Sequence, residues 1–79
     1  MVKLNIFNLE EFLQVVNGCK GAVNIIQPDG QKEDINKRYD IQQGLRNRYY
    51  QNQGRLPLSL DIPNHRDYFS IVYYSIGDR

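Results

Sequence analysis

His65 is the only histidine and Cys19 the only cysteine in this 79-residue chain, so nucleophilic, general-base and metal chemistry have few residues to draw on. A histidine acting as a base needs a Ser, Cys or carboxylate that positions it. His65 stands between Asn64, Arg66 and Asp67, which read together as a capping loop at the start of a helix, and it is taken as a surface residue. Cys19 has no partner for an internal disulfide, and no Cys/His cluster offers a metal site. It reads as a small residue packed at a helix end rather than a redox centre. Glu10 and Glu11 are adjacent, so on a helix they diverge by about 100°. Glu33 and Asp34 alternate across a strand and point to opposite faces. Neither pair builds the two-carboxylate site of a hydrolase. Gly18, Gly21 and Gly30 flank turns at a spacing that matches no phosphate-cradling loop. These residue types predict no enzyme, no cofactor and no metal.

One constellation stands out. Between Asn36 and Arg55, Lys37, Arg38, Arg46, Arg48 and Arg55 face a single acid, Asp40, giving a local charge of +4. Residues 1–36 sum to −2 and residues 56–79 to −1, so a net charge of +1 conceals this asymmetry. Tyr39, Tyr49 and Tyr50 are interleaved with the cations. Cations that neutralise phosphates beside rings that stack on bases suit sequence-tolerant nucleic-acid binding. Tyr and Arg also dominate protein interfaces. The plainest reading is a solvated helix face with Tyr39 or Tyr49 partly in the core. The preferred functional reading is a protein interface. Arg46, Arg48, Tyr49 and Tyr50 would be its anchors, with Lys37, Arg38 and Arg55 as a polar rim. The partner would be another protein or a second copy of the chain, through exposed edge strands or helix packing. A nucleic-acid-binding module on the same segment is the runner-up.

The elements that position these groups follow from spacing. Seventy-nine residues make one domain, 1–79, near the lower limit for a core without staples. No apolar run approaches the roughly 20 residues that span a bilayer, and the start of the chain lacks the apolar stretch of a secretory signal. The expectation is a cytoplasmic domain with no membrane partner. Val2, Leu4 and Ile6 alternate with Lys3 and Asn5 as in a half-buried strand. Asn8 and Glu11 have the spacing of a capping box, Phe7 and Phe12 that of a hydrophobic staple, and Leu9, Phe12, Leu13 and Val16 repeat on one helical face up to Gly18. Ala22 to Gln27 reads as a second strand, turned by Pro28-Asp29-Gly30 into a weaker return strand over 31–36. A helix is expected over 39–53, with Ile41, Leu45, Arg48 or Tyr49, and Asn52 on one stripe, weakened by Gly44 and stopped at Gly54. Leu58, Leu60 and Ile62 alternate with Ser59 and Asp61 in a strand over 56–62 that opens at Pro57.

The last segment, 64–79, is rich in strand formers, but its spacing is helical. Phe69, Val72, Tyr73 and Ile76 mark one face, and Asp67, Ser70, Tyr74 and Asp78 the opposite one. Asn64 caps and Gly77 stops the run. The order is then βαββαβα, an α/β (α+β) open-faced sandwich whose wet sheet face carries Lys3, Asn5, Asn24, Ser59 and Asp61. A strand in the last segment would give instead an α+β domain with a C-terminal β-hairpin.

This order and length resemble the phosphocarrier protein HPr of the bacterial sugar phosphotransferase system. The best local support is the strand, capped helix and strand in close succession from Leu4 to Ile26. The chain is also similar to small HPr-like proteins in which that chemistry is missing. The family's phosphocarrier members place a histidine and an arginine-proline pair where the first strand meets the first helix; this chain reads Ile6-Phe7-Asn8-Leu9-Glu10. The family's regulatory serine near the second helix is replaced by Arg38-Tyr39-Asp40-Ile41. The resemblance therefore implies the fold without phosphocarrier activity.

Overall fold

The computed structural model describes residues 1–77. It runs β1 (Val2–Ile6), α1 (Leu9–Asn17), β2 (Asn24–Ile26), β3 (Lys32–Asp34), α2 (Tyr39–Gln51), β4 (Leu56–Asp61) and α3 (His65–Gly77). The four strands form one antiparallel sheet in the order β1-β4-β2-β3. β4 is inserted between β1 and β2, so the first strand–helix–strand unit is split by the last strand. In register, Val2, Leu4 and Ile6 face Leu60, Leu58 and Leu56, and this set forms the inner side. The helices join it in a single core with Phe12, Leu13, Leu45 and Ile71. Lys3, Asn5, Asn24, Ser59 and Asp61 occupy the more open side, where Lys32 reaches Asp61 at 2.9 Å. The last segment is a helix and not a hairpin strand.

α1 forms as its sequence dictates. The Asn8 side chain accepts from the Glu11 N–H at 3.2 Å, and Leu9, Phe12, Leu13 and Val16 are buried. The hairpin turn also follows its residues: Gly30 adopts φ +89°, and Asp29 Oδ1 accepts from the Gln31 N–H at 3.0 Å. Both hairpin strands are shorter than expected. At their outer end the Asp34 carboxylate accepts from the N–H groups of Val23 (3.0 Å) and Asn36 (2.9 Å), beside a backbone bond from the Ile35 N–H to the Val23 carbonyl at 2.9 Å. Side-chain and backbone bonds together close that end of the hairpin.

α3 is turned over relative to the expectation. Asp67, expected on the outer face, is buried, and Ile71 is wholly enclosed. Phe69, Tyr73 and Ile76, expected together on the apolar face, remain 55, 72 and 66 % exposed. The reason is polar. The Asp67 carboxylate accepts from the N–H groups of Lys20 (3.1 Å) and Gly21 (2.8 Å), and the Tyr74 hydroxyl donates to the Asn8 carbonyl at 2.7 Å. Both faces of α3 carry large apolar side chains, so the hydrogen bonds decide which one turns inward. Asp78, assigned by spacing to the polar face, lies outside the described residues.

α2 also departs from its expected stripe. Leu45 is buried and Ile41 and Tyr49 are half-buried, but Arg48 and Asn52 are exposed. Their place is taken by Gln42, which is fully enclosed. Its amide donates to Asn17 Oδ1 (2.7 Å) and to the Ile35 carbonyl (2.8 Å), fastening α2 to the end of α1 and the loop after β3. The chain leaves α2 through Gln53 and Gly54, both at positive φ, with the Gly54 N–H returning to the Tyr49 carbonyl at 2.9 Å.

Candidate interaction surface

The basic segment does not fold into one patch. α2 rises by about 1.5 Å per residue, so Tyr39 and Tyr50 stand roughly 16 Å apart along its axis. Lys37 and Arg38 sit at its start and Arg55 beyond its end. Arg46 and Arg48, two residues apart, point in directions that differ by about 160°. The seven candidates therefore divide into three groups with different surroundings.

Lys37 and Arg38 open α2. Lys37 has φ +60°, its N–H donates to Asn17 Oδ1 at 3.0 Å, and its ammonium rests on the Cys19 carbonyl at 3.3 Å. Asn36 beside it donates to the carbonyls of Cys19 (2.9 Å) and Gly21 (2.7 Å). This polar cluster secures the loop between α1 and β2. Cys19 is enclosed within it, and burial, reinforced by the nearby Asp67 carboxylate, pushes its thiol up to about 11. It stays a neutral thiol at physiological pH, which is a packing role and not a reactive one.

The second group gathers where β1 runs into α1. The Arg46 guanidinium straddles the Glu10 carboxylate, Nε to Oε2 at 2.8 Å and Nη2 to Oε1 at 3.2 Å. This fork holds the Glu10 carboxyl below its ordinary range and raises Arg46. Tyr49 donates its hydroxyl to the Phe7 carbonyl and packs against the core. Tyr50 lies edge-on to Tyr49, ring centres 5.5 Å apart, and is 67 % exposed. Phe7 is 45 % exposed. From the other side Tyr74 bonds the Asn8 carbonyl and tilts against the Phe12 ring at 5.8 Å. Two tyrosine hydroxyls, one from each flanking helix, thus pin the Phe7–Asn8 backbone.

Arg48 and Arg55 make up the third group. Both are exposed, and among the described residues Arg48 has no ion pair. It reaches the open margin between β2 and β4.

Phe7 and Glu10 are members of the second group that the basic segment alone does not indicate. Phe7 carried a signal, a large apolar residue immediately before a helix cap. The pairing of Glu10 with Arg46 spans 36 positions and has no local signal. Among the described residues no three His, Cys, Asp or Glu side chains gather to hold a metal ion, and no helix is long and apolar enough to cross a membrane. In comparison with known proteins, no family model matches the chain, and no curated protein or solved structure matches it.

Proposed function

We infer that this chain is a non-catalytic, HPr-like cytoplasmic domain that binds another protein through the surface formed by Phe7, Arg46, Tyr49 and Tyr50. The observation that carries the reading is Tyr50, 67 % exposed and held edge-on against a Tyr49 that is itself anchored to the backbone of Phe7. A large amphipathic ring fixed before binding loses little conformational freedom on contact, which is what makes Tyr an effective interface anchor. The HPr-like assignment rests on the βαββαβα order. At the junction of β1 and α1 the chain offers no histidine, and the first turn of the helix carries Glu11 beside the Arg46-bound Glu10. A phosphate approaching that helix end would meet the negative charge of Glu11.

Nucleic-acid binding is the weaker reading. Arg46 is neutralised by Glu10, the Lys37 ammonium is engaged with a carbonyl, and the remaining cations are dispersed around and along α2. Phosphate binding gains from cations that act together. The test is crosslinked capture by the immobilised chain, with sedimentation velocity to score self-association. A partner retained by wild type and by Arg55→Ala, and lost with Phe7→Ala or Tyr50→Ala, supports the reading. Retention unchanged in both aromatic variants overturns it.

A further inference from the structure

β2 pairs with β4 only through Asn24 with Asp61 and Ile25 with Leu60. Beyond that point the sheet opens, and β4 from Leu56 to Ser59 borders no strand on its β2 side. Pro57 lies in this stretch and has no N–H to offer a neighbouring strand. The opening is a groove of about 640 Å³. Ile26, Pro28 and Pro57 provide apolar wall, Asn5, Gln27 and Ser59 provide hydrogen-bonding groups, and Lys3 and Arg48 supply two positive charges. Among the described residues no carboxylate lines it. Glu33 borders the adjoining recess, where it accepts from Gln27 Nε2 at 3.2 Å and forms no ion pair with Arg48.

We propose that this groove binds a small organic anion, a phosphate or carboxylate carried on an apolar body. The guanidinium of Arg48 and the ammonium of Lys3 meet the charged group, and the body lies on Ile26, Pro28 and Pro57. Two cations, with no acid facing them among the described residues, stand beside apolar wall and complement that ligand class, and the volume suits a small molecule. The site is separate from the Tyr50 surface, because Arg48 projects from α2 about 160° away from both Arg46 and Tyr50. Tyr50→Ala should leave it intact, so the two readings fail independently.

The experiment is an amide NMR titration of the full chain with phenyl phosphate, with benzoate, with neutral benzyl alcohol and with inorganic phosphate. Saturable shifts at Lys3, Asn5, Gln27 and Ser59 with phenyl phosphate or benzoate are expected, and the tighter of the two identifies the preferred anion. Arg48→Gln should weaken that binding by about tenfold or more. Ser59→Glu, which adds a negative charge beside the groove, should do the same. An equal response to benzyl alcohol overturns the proposal, as does unchanged affinity in Arg48→Gln. So does inorganic phosphate matching phenyl phosphate, which would mean an adventitious ion only. Absence of saturable shifts with both organic anions overturns it as well.

Discussion

α1 and α3 both carry apolar residues at helical spacing and both begin with an asparagine cap, yet only α1 turns the expected face inward. The difference lies in how unequal the two faces are. Around α1, Leu9, Phe12, Leu13 and Val16 oppose Glu10, Glu11 and Gln14, so one orientation is far better than any other. Around α3 both faces are aromatic or aliphatic: Tyr68, Ile71 and Tyr74 on one, Phe69, Val72, Tyr73 and Ile76 on the other. Where apolar burial is nearly balanced, hydrogen bonds decide. Asp67 is needed by the N–H groups of Lys20 and Gly21, and Tyr74 finds the Asn8 carbonyl. Together these bonds set the rotation of the helix.

The sharpest way to break this comparison is to truncate the core at each helix. Phe12→Ala in α1 should cost about 3–5 kcal/mol, and Ile71→Ala in α3 about 2–5 kcal/mol, in urea unfolding. Ile76→Ala, on the exposed α3 stripe, should change stability by less than about 0.5 kcal/mol. If Ile76→Ala costs as much as Ile71→Ala, the orientation assigned to α3 is wrong.

Asp67→Ala removes the acceptor for two backbone donors and should cost about 1–3 kcal/mol. Thermal unfolding gives the size, and faster amide exchange at Lys20 and Gly21 would localise the damage. An effect below about 0.5 kcal/mol would mean that these hydrogen bonds do not orient the helix.

The smallest effect belongs to the Glu10–Arg46 pair, which is partly exposed. Arg46→Met should cost under about 1 kcal/mol near neutral pH. Because Arg46 holds the Glu10 carboxyl below its unfolded value, the stabilisation is present above the ordinary carboxylate range. It is lost as pH falls through the folded value, where Glu10 takes a proton. Wild type and Arg46→Met should therefore converge in stability as the pH falls through the folded Glu10 value, seen in thermal midpoints across an acid pH series.

The elements legible in the sequence were those specified by neighbours within four or five residues. The Asn8 cap, the stripe of α1, the Pro28-Asp29-Gly30 turn and the alternation of β1 and β4 all belong to this kind. What was not legible depended on partners far along the chain. Gln42 goes inside because Asn17, 25 residues away, and the Ile35 carbonyl satisfy its amide. The Val23 N–H goes to the Asp34 carboxylate, 11 residues further along the chain. The candidate surface divides in the same way. Tyr50, at the end of the basic run, is exposed. Arg46 and Arg48, adjacent in a basic run, part company once one meets Glu10 and the other reaches the open sheet margin.

The most direct test of the protein-binding reading is an amide NMR titration of the labelled chain with a mixed pool of single- and double-stranded oligonucleotides, at low and at physiological salt. The reading predicts that the Tyr50 surface, Arg46, Tyr49 and Tyr50, does not shift even at low salt. Shifts at that surface, abolished by salt, would contradict it and assign the surface to nucleic acid.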